Sequence, residues 1–181
     1  MNAHRLRLIA AGAVMALVLT TDRVTKLVVL ARFRFEGESV TVIPSFLSFT
    51  YRRNPGSAFS MFHSVPAAPV ILTLIALAAV TFIGWLLWRQ RNLPMKIVAG
   101  LGAIAGGAIG NCIDRMFHPH TVVDFIDCFA GAWHWPAFNI ADSAICIGAG
   151  LLVLASFTDP AAFSRQARPH LSPGLPQDCP R

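Results

Sequence analysis

The chain has 181 residues, 55% of them hydrophobic and only 13% charged, whereas a soluble domain carries roughly 25% charged residues. Its mean hydropathy of +0.57 excludes intrinsic disorder, which needs low hydrophobicity and high net charge. The uncharged runs are also too long for the core of a soluble domain of this length. The formal net charge of +6 clusters outside those runs, so membrane topology explains it and no nucleic-acid partner is expected.

The first uncharged run, 8–21, follows His4, Arg5 and Arg7 and looks at first like a secretory signal peptide. No small-x-small cleavage site follows it. Asp22-Arg23-Val24-Thr25-Lys26 runs directly into apolar residues instead, which favours a retained membrane span over 8–31. The segment 32–68 contains Ser39-Val40-Thr41-Val42-Ile43 and Phe46-Leu47-Ser48-Phe49-Thr50-Tyr51, rich in β-branched and aromatic residues and divided by Pro44; these predict short strands of a small sheet outside the membrane.

Residues 69–88 are uncharged and match the roughly 30 Å hydrocarbon thickness at about 1.5 Å per helical residue. A third span over 96–114 carries Gly102, Gly106 and Gly110 every fourth position, so one helix face lets a neighbour approach closely. The fourth, over 138–158, has Asn139 and Asp142 inside it and Trp133 and Trp135 before it; the tryptophans fit an interfacial aromatic belt. The tail, 159–181, has Pro at 160, 169, 173, 176 and 180 and reads as disordered. The fold class expected is an all-α membrane protein, a bundle of four transmembrane helices with a small external β-sheet, in one domain over 1–158.

With four spans, the segments up to Arg7, from 89 to 96 and after Thr158 share one side, carrying eight Lys and Arg against Asp159 and Asp178. The positive-inside rule makes that side cytoplasmic. Cys112, Cys128, Cys146 and Cys179 include no Cys-x-x-Cys pair and read as small buried hydrophobes. His118-Pro119-His120 and His134 lack the spacing of a metal site, so neither metal nor cofactor is expected.

Counting helical rise brings polar residues of different spans to one depth. Asp22 lies fourteen residues past Leu8 and Asn111 fourteen past Ile97, each roughly 21 Å from the cytoplasmic edge, and Asp142 lies only about 6 Å below the outer edge. Polar groups at that depth turn inward and mark functional sites. Asp22 and Lys26 are spaced i, i+4 and can pair. Asn111, Asp114 and Arg115 share a helix face, with Asp114 and Arg115 near the headgroups, and Asn139 and Asp142 share a face of the last span. Asp124 is wedged between apolar residues, whereas Asp127 precedes a glycine-bearing loop and is expected to be exposed. Two carboxyl groups in a partly dehydrated pocket keep one proton between them and so supply both acid and base. An ion or proton path through Asp22, Lys26 and Asp142, or a purely structural subunit, would use some of the same residues.

Four blocks in chain order resemble the lipoprotein signal peptidase (signal peptidase II) family: Asp22-Arg23-Val24-Thr25-Lys26; Asn54-Pro55-Gly56-Ser57-Ala58-Phe59; Gly110-Asn111-Cys112-Ile113-Asp114-Arg115 with Val122-Val123-Asp124-Phe125; and Phe138-Asn139-Ile140-Ala141-Asp142-Ser143. Pro55 and Ser57 stand where the family more often has Thr and Ala. The resemblance implies an aspartic endopeptidase of the bacterial inner membrane, with both termini cytoplasmic and the site toward the periplasm. It would cleave the signal peptide from diacylglyceryl-modified prolipoproteins, N-terminal to the lipidated cysteine. Asp124 and Asp142 are then the catalytic dyad; Asn54, Asn111, Arg115 and Asn139 hold substrate; Asp22, Lys26, Asp114 and Gly56 support the site. It further implies a periplasmic β-cradle, contact with membrane lipid and sensitivity to globomycin-type inhibitors, and a monomer is the expected state.

Overall fold

A computed structural model describes residues 2–55, 67–118 and 121–158. In chain order the elements are α1 (Ala3–Arg32), β1 (Ser39–Ile43), β2 (Leu47–Asn54), α2 (Ala68–Arg89), α3 (Met95–Phe117), β3 (Val122–Ala130), β4 (Trp133–His134) and α4 (Ile140–Thr158). Among the described residues, α2, α3 and α4 are long and apolar enough to cross a membrane. Longer than any of these, α1 has 30 residues and carries Arg5, Arg7, Asp22, Arg23, Lys26 and Arg32 along its length. It begins five residues before the expected 8 because the Asn2 side chain accepts the His4 N–H at 3.1 Å, which is how an N-cap satisfies a free helix donor.

The buried helix of the bundle is α3, and glycines let its neighbours in. A Cβ on Gly102 would lie 2.6 Å from the Ala11 carbonyl and one on Gly106 2.8 Å from the Met15 carbonyl, both on α1. On the α4 side, Gly100 and Gly148 face each other, a Cβ on either falling within 2.9 Å of the other's carbonyl. The repeat at 102, 106 and 110 therefore marks a real helix seam, and its partner is α1. Most of α2 remains outside this packing, with Val70, Leu74, Phe82, Trp85 and Trp88 exposed.

The strands form one antiparallel series in the order β1-β2-β3-β4. The expected strands at 39–43 and 46–51 are present, the second shifted to Leu47–Asn54. β3 is the strand the sequence hid: four consecutive buried residues, Val122 to Phe125, lack the in-out alternation of a half-exposed strand. The β2–β3 register changes between Phe49↔Ile126 and Arg52↔Asp124, so Thr50 and Tyr51 oppose the single residue Phe125. Such a bulge bends the strand and re-aims the side chains beyond it. The turn from β3 to β4 is made by Gly131, at φ +61°, a conformation that a Cβ disfavours.

Two apolar clusters bracket the polar layer. One holds Ala11, Ile83, Leu93, Val98 and Leu101; the other, under the sheet, holds Val29, Phe33, Tyr51, Val123 and Phe125. Along α1, Asp22 and Lys26 fall between Ala11 of the first and Val29 of the second. Gly56, the segment 57–66, Cys179 and the tail expected at 159–181 lie outside the described residues.

Candidate active site

The start of α4 is built by reciprocal capping. Asn139 Oδ1 accepts the Asp142 N–H at 2.9 Å, and Asp142 Oδ2 accepts the Asn139 N–H at 3.3 Å. This is a capping box with Asp in the place usually taken by Glu. It starts the helix at Ile140, two residues after the expected 138, because Phe138 is tied to Ile126 of β3 by backbone hydrogen bonds. A third carboxylate serves the same helix end: Asp22 Oδ1, from α1, accepts the Ala141 N–H at 3.0 Å. Helix N-termini favour such anions.

The same Asn139 reaches the sheet. Its Nδ2 donates to Asp124 Oδ1 at 2.7 Å, while Asn54 Nδ2, on β2, donates to Asp124 Oδ2 at 2.9 Å. Asn111, on α3, donates from Nδ2 to Asp142 Oδ1 at 2.9 Å. Asp124 and Asp142, separated by eighteen positions and carried by different elements, thus face one cavity of about 430 Å³ whose lining also includes Asn54, Asn111 and Arg115. Burial, then the nearby Asp142 charge, push the Asp124 carboxyl up to about 7, against the hydrogen bonds from Asn54 and Asn139. A pair of this kind keeps a proton at neutral pH and can act as acid and base together.

Behind the cavity lies a charged layer. Lys26 Nζ is 2.8 Å from Asp22 Oδ2 and 2.9 Å from Asp114 Oδ2, and it donates to Asn111 Oδ1 at 3.1 Å. Asp114 is held further by Arg23 Nη1 at 2.5 Å and by the Val123 N–H at 3.2 Å. The predicted Asp22–Lys26 pair is therefore present, but it is part of a larger network. Asp114, expected near the headgroups, is fully buried, and Arg23 is the partner that sequence spacing did not single out. Arg115 lines the cavity; its Nη1 reaches the Asn111 carbonyl at 3.4 Å, and its buried Nε has no hydrogen-bond partner among the described residues.

Asp127 corrects the expectation of an exposed acid. It is only 6% exposed, and its oxygens lie 2.9 and 3.0 Å from His134 Nδ1 across the β3–β4 turn. The pair is away from the cavity lining, which also includes Ser143, Trp135, read from sequence as an interfacial anchor, and Cys146, read there as a buried hydrophobe. Cys112 is buried as expected, Cys128 is intermediate and Cys146 is exposed; all three are free thiols.

Comparison with known proteins points the same way. The sequence model of a family described as signal peptidase (SPase) II matches residues 14–158. A lipoprotein signal peptidase of Chromobacterium violaceum is 39% identical over 151 residues, covering 82% of this chain and 91% of the relative. One from Shewanella sediminis is 44% identical over 145 residues, covering 80% of this chain and 81% of that protein. A solved bacterial membrane enzyme, determined by the in meso method at 2.3 Å resolution, superposes with a TM-score of 0.72 at 29% identity, covering 90% of this chain and 94% of its own.

Proposed function

Because the chain belongs to the signal peptidase II family and is a membrane peptidase that removes signal peptides in lipoprotein maturation, we propose that it does so as an aspartic endopeptidase with Asp124 and Asp142 as its dyad. The observation that carries this reading is Asn139, whose side chain hydrogen-bonds Asp124 and the Asp142 backbone at once and so aligns both carboxyl groups on one cavity.

The substrates are prolipoproteins. In the proposed reaction their diacylglyceryl-modified cysteine lies at the membrane surface, with its acyl chains in lipid and the signal helix against the bundle. The bond N-terminal to that cysteine enters the cavity. One carboxylate takes a proton from water as the water attacks the scissile carbonyl. The other carboxyl hydrogen-bonds the developing oxyanion and then gives its proton to the leaving amine. Asn54, Asn111 and Asn139 orient the dyad and hold substrate, and Arg115 offers unused guanidinium donors to a substrate carbonyl. Asp22, Lys26, Asp114 and Gly56 support the site. A globomycin-type inhibitor would occupy the same cavity.

We further read α1 as a fourth span, making one membrane domain over 1–158 followed by a tail at 159–181. Thirty residues reach about 45 Å, and the charged Asp22 and Lys26 are buried within the protein, away from lipid. Arg7 Nη1 bonds the Arg91 carbonyl at 2.8 Å and Lys96 Nζ bonds Thr158 Oγ1 at 2.5 Å, so ends of all four helices gather beside Arg5, Arg7, Arg89, Arg91 and Lys96. That basic end is cytoplasmic by the positive-inside rule, which puts the sheet and cavity on the periplasmic side of the inner membrane. The working unit is a monomer.

The deciding experiment is cleavage of a diacylglyceryl-modified prolipoprotein by purified protein in detergent, with chelator present throughout. Wild type is expected to turn over, and Asp124→Asn and Asp142→Asn to lose turnover while eluting as folded protein. Near wild-type cleavage by either variant would overturn the dyad.

A further inference from the structure

Lys26 is the largest of the fully buried side chains, and the orientation it imposes on Asn111 has a chemical consequence. An ammonium donates and cannot accept. With Nζ 3.1 Å away, Asn111 must turn its carbonyl oxygen toward Lys26, an orientation reinforced by the Asn139 Nδ2 donor at 3.2 Å on the same oxygen. Its NH₂ group is then forced toward Asp142 Oδ1, 2.9 Å away. A flipped amide would set donor against donor at Lys26 and Asn139 and oxygen against oxygen at Asp142.

The two carboxyl groups are unequal in other ways. Asp142 stands in the first turn of α4, where the helix end favours a negative charge; it accepts a backbone N–H and is only partly buried. Asp124 is 2% exposed, sits on a strand and, among the described residues, accepts side-chain hydrogen bonds from the neutral amides of Asn54 and Asn139. The surrounding charges are Asp22, Arg23 and Lys26 from α1, Asp114 and Arg115 from α3, and Arg52, the register partner of Asp124 on β2. Within the buried layer Asp22 and Asp114 balance Lys26 and Arg23. Among the described residues, Arg115 is then the remaining cation lining the cavity, and a dyad holding one proton and one negative charge balances it.

Resting on the dyad reading above, we propose that Lys26 is a positioning residue that sets the dyad's proton inventory: acting through Asn111, it holds Asp142 as the charged member and leaves the proton on Asp124. Asp142 is then the base that takes the proton of the attacking water. Asp124 is the acid that gives its proton to the leaving nitrogen as the C–N bond breaks. The new carboxyl terminus releases its own proton to solvent, the dyad is left with one proton on Asp142, and return of that proton to Asp124 restores the resting enzyme.

The test is the pH profile of kcat/KM on a diacylglyceryl-modified prolipoprotein, for wild type, Lys26→Gln and Lys26→Arg, alongside the two dyad variants. Removing the cation is expected to move the acid limb to higher pH by about one unit, a roughly tenfold loss at the acid end, with KM at the optimum changed less than about twofold, and Lys26→Arg is expected to restore the limb. If Lys26→Gln does not elute as folded protein, Asp22→Asn/Lys26→Gln, which removes a carboxylate with the cation, carries the same measurement. An activity loss equal at every pH, with the limb unmoved, overturns the role of Lys26 and leaves the dyad standing. Turnover by Asp124→Asn or Asp142→Asn overturns the dyad and this inference with it.

Discussion

Asn139 Nδ2 lies 2.7 Å from Asp124 Oδ1, a side-chain bond from the residue that caps α4 to an acid on β3. One residue therefore has two separable duties, starting a helix and fixing a carboxyl group. Asn139→Ser keeps a hydroxyl able to cap the helix but is too short to hold Asp124. It is expected to keep near wild-type thermal stability and to lose activity on the order of a hundredfold, the cost of misplacing a reacting group. Asn139→Ala is expected to lose the same activity and about 1 kcal/mol of stability as well. Equal stability of the two variants in a thermal unfolding series would remove the capping role.

Asp124 is expected to make both activity and stability depend on pH up to neutrality. Its carboxyl is raised from 3.8 to about 7, first by burial and then by the Asp142 charge. Between those values the folded protein holds a proton that the unfolded chain has released. The Asp124 contribution to stability is therefore fully present below about pH 4 and lost as pH rises through about 7. Melting temperature in detergent is expected to fall as pH rises from about 4 to about 7 and to level off above that, with a shallower fall in Asp124→Asn. Turnover is expected to decline as pH rises through about 7 and the dyad gives up its shared proton. A wild-type melting temperature flat across this range would contradict the raised carboxyl.

Some of this site is legible in the sequence through counting alone. Rise per residue put Asp22, Asn111 and Asp142 at one depth, and the structure joins them through Ala141 and the Asn111 amide. The i, i+4 spacing of Asp22 and Lys26 forecast an ion pair that is present at 2.8 Å. What counting misses are relationships made by chain reversal. Asp127 meets His134 only because Gly131 turns β3 back on itself, and Arg23 meets Asp114 across 91 positions. β3 escaped because burial on both faces erases the period of two by which a strand is read. The bulge opposite Phe125 leaves no signal in composition.

Glycine positions on the helices separate into those that touch and those that do not. A Cβ on Gly110 would lie 2.7 Å from Asp22 Oδ2, whereas one on Gly84 would meet nothing within 4 Å. Gly110→Ala is expected to push Asp22 away from the Ala141 N–H and from Lys26, lowering melting temperature and activity together. Gly84→Ala adds helix propensity on the exposed α2, worth up to about 1 kcal/mol, and is expected to leave activity unchanged and stability equal or slightly raised. Measuring both in one detergent distinguishes close packing from a general intolerance of larger side chains.

Asp124 and Asp127 are three residues apart on β3 and both nearly buried, so they make a matched comparison of two acids. Asp124 faces the cavity, while Asp127 is satisfied by His134, whose side chain is half exposed. A pair with one solvated partner contributes at most about 1 kcal/mol, and neither member reaches the cavity lining. Asp127→Asn, which can still hydrogen-bond His134, is expected to retain activity within about threefold and to cost no more than about 1 kcal/mol of stability. Asp124→Asn, the same chemical change three residues away on the same strand, is expected to abolish turnover. If Asp127→Asn proved as inactive as Asp124→Asn while remaining folded, the acid and base of the reaction would have to be sought along the whole strand, not in the pair aligned by Asn139.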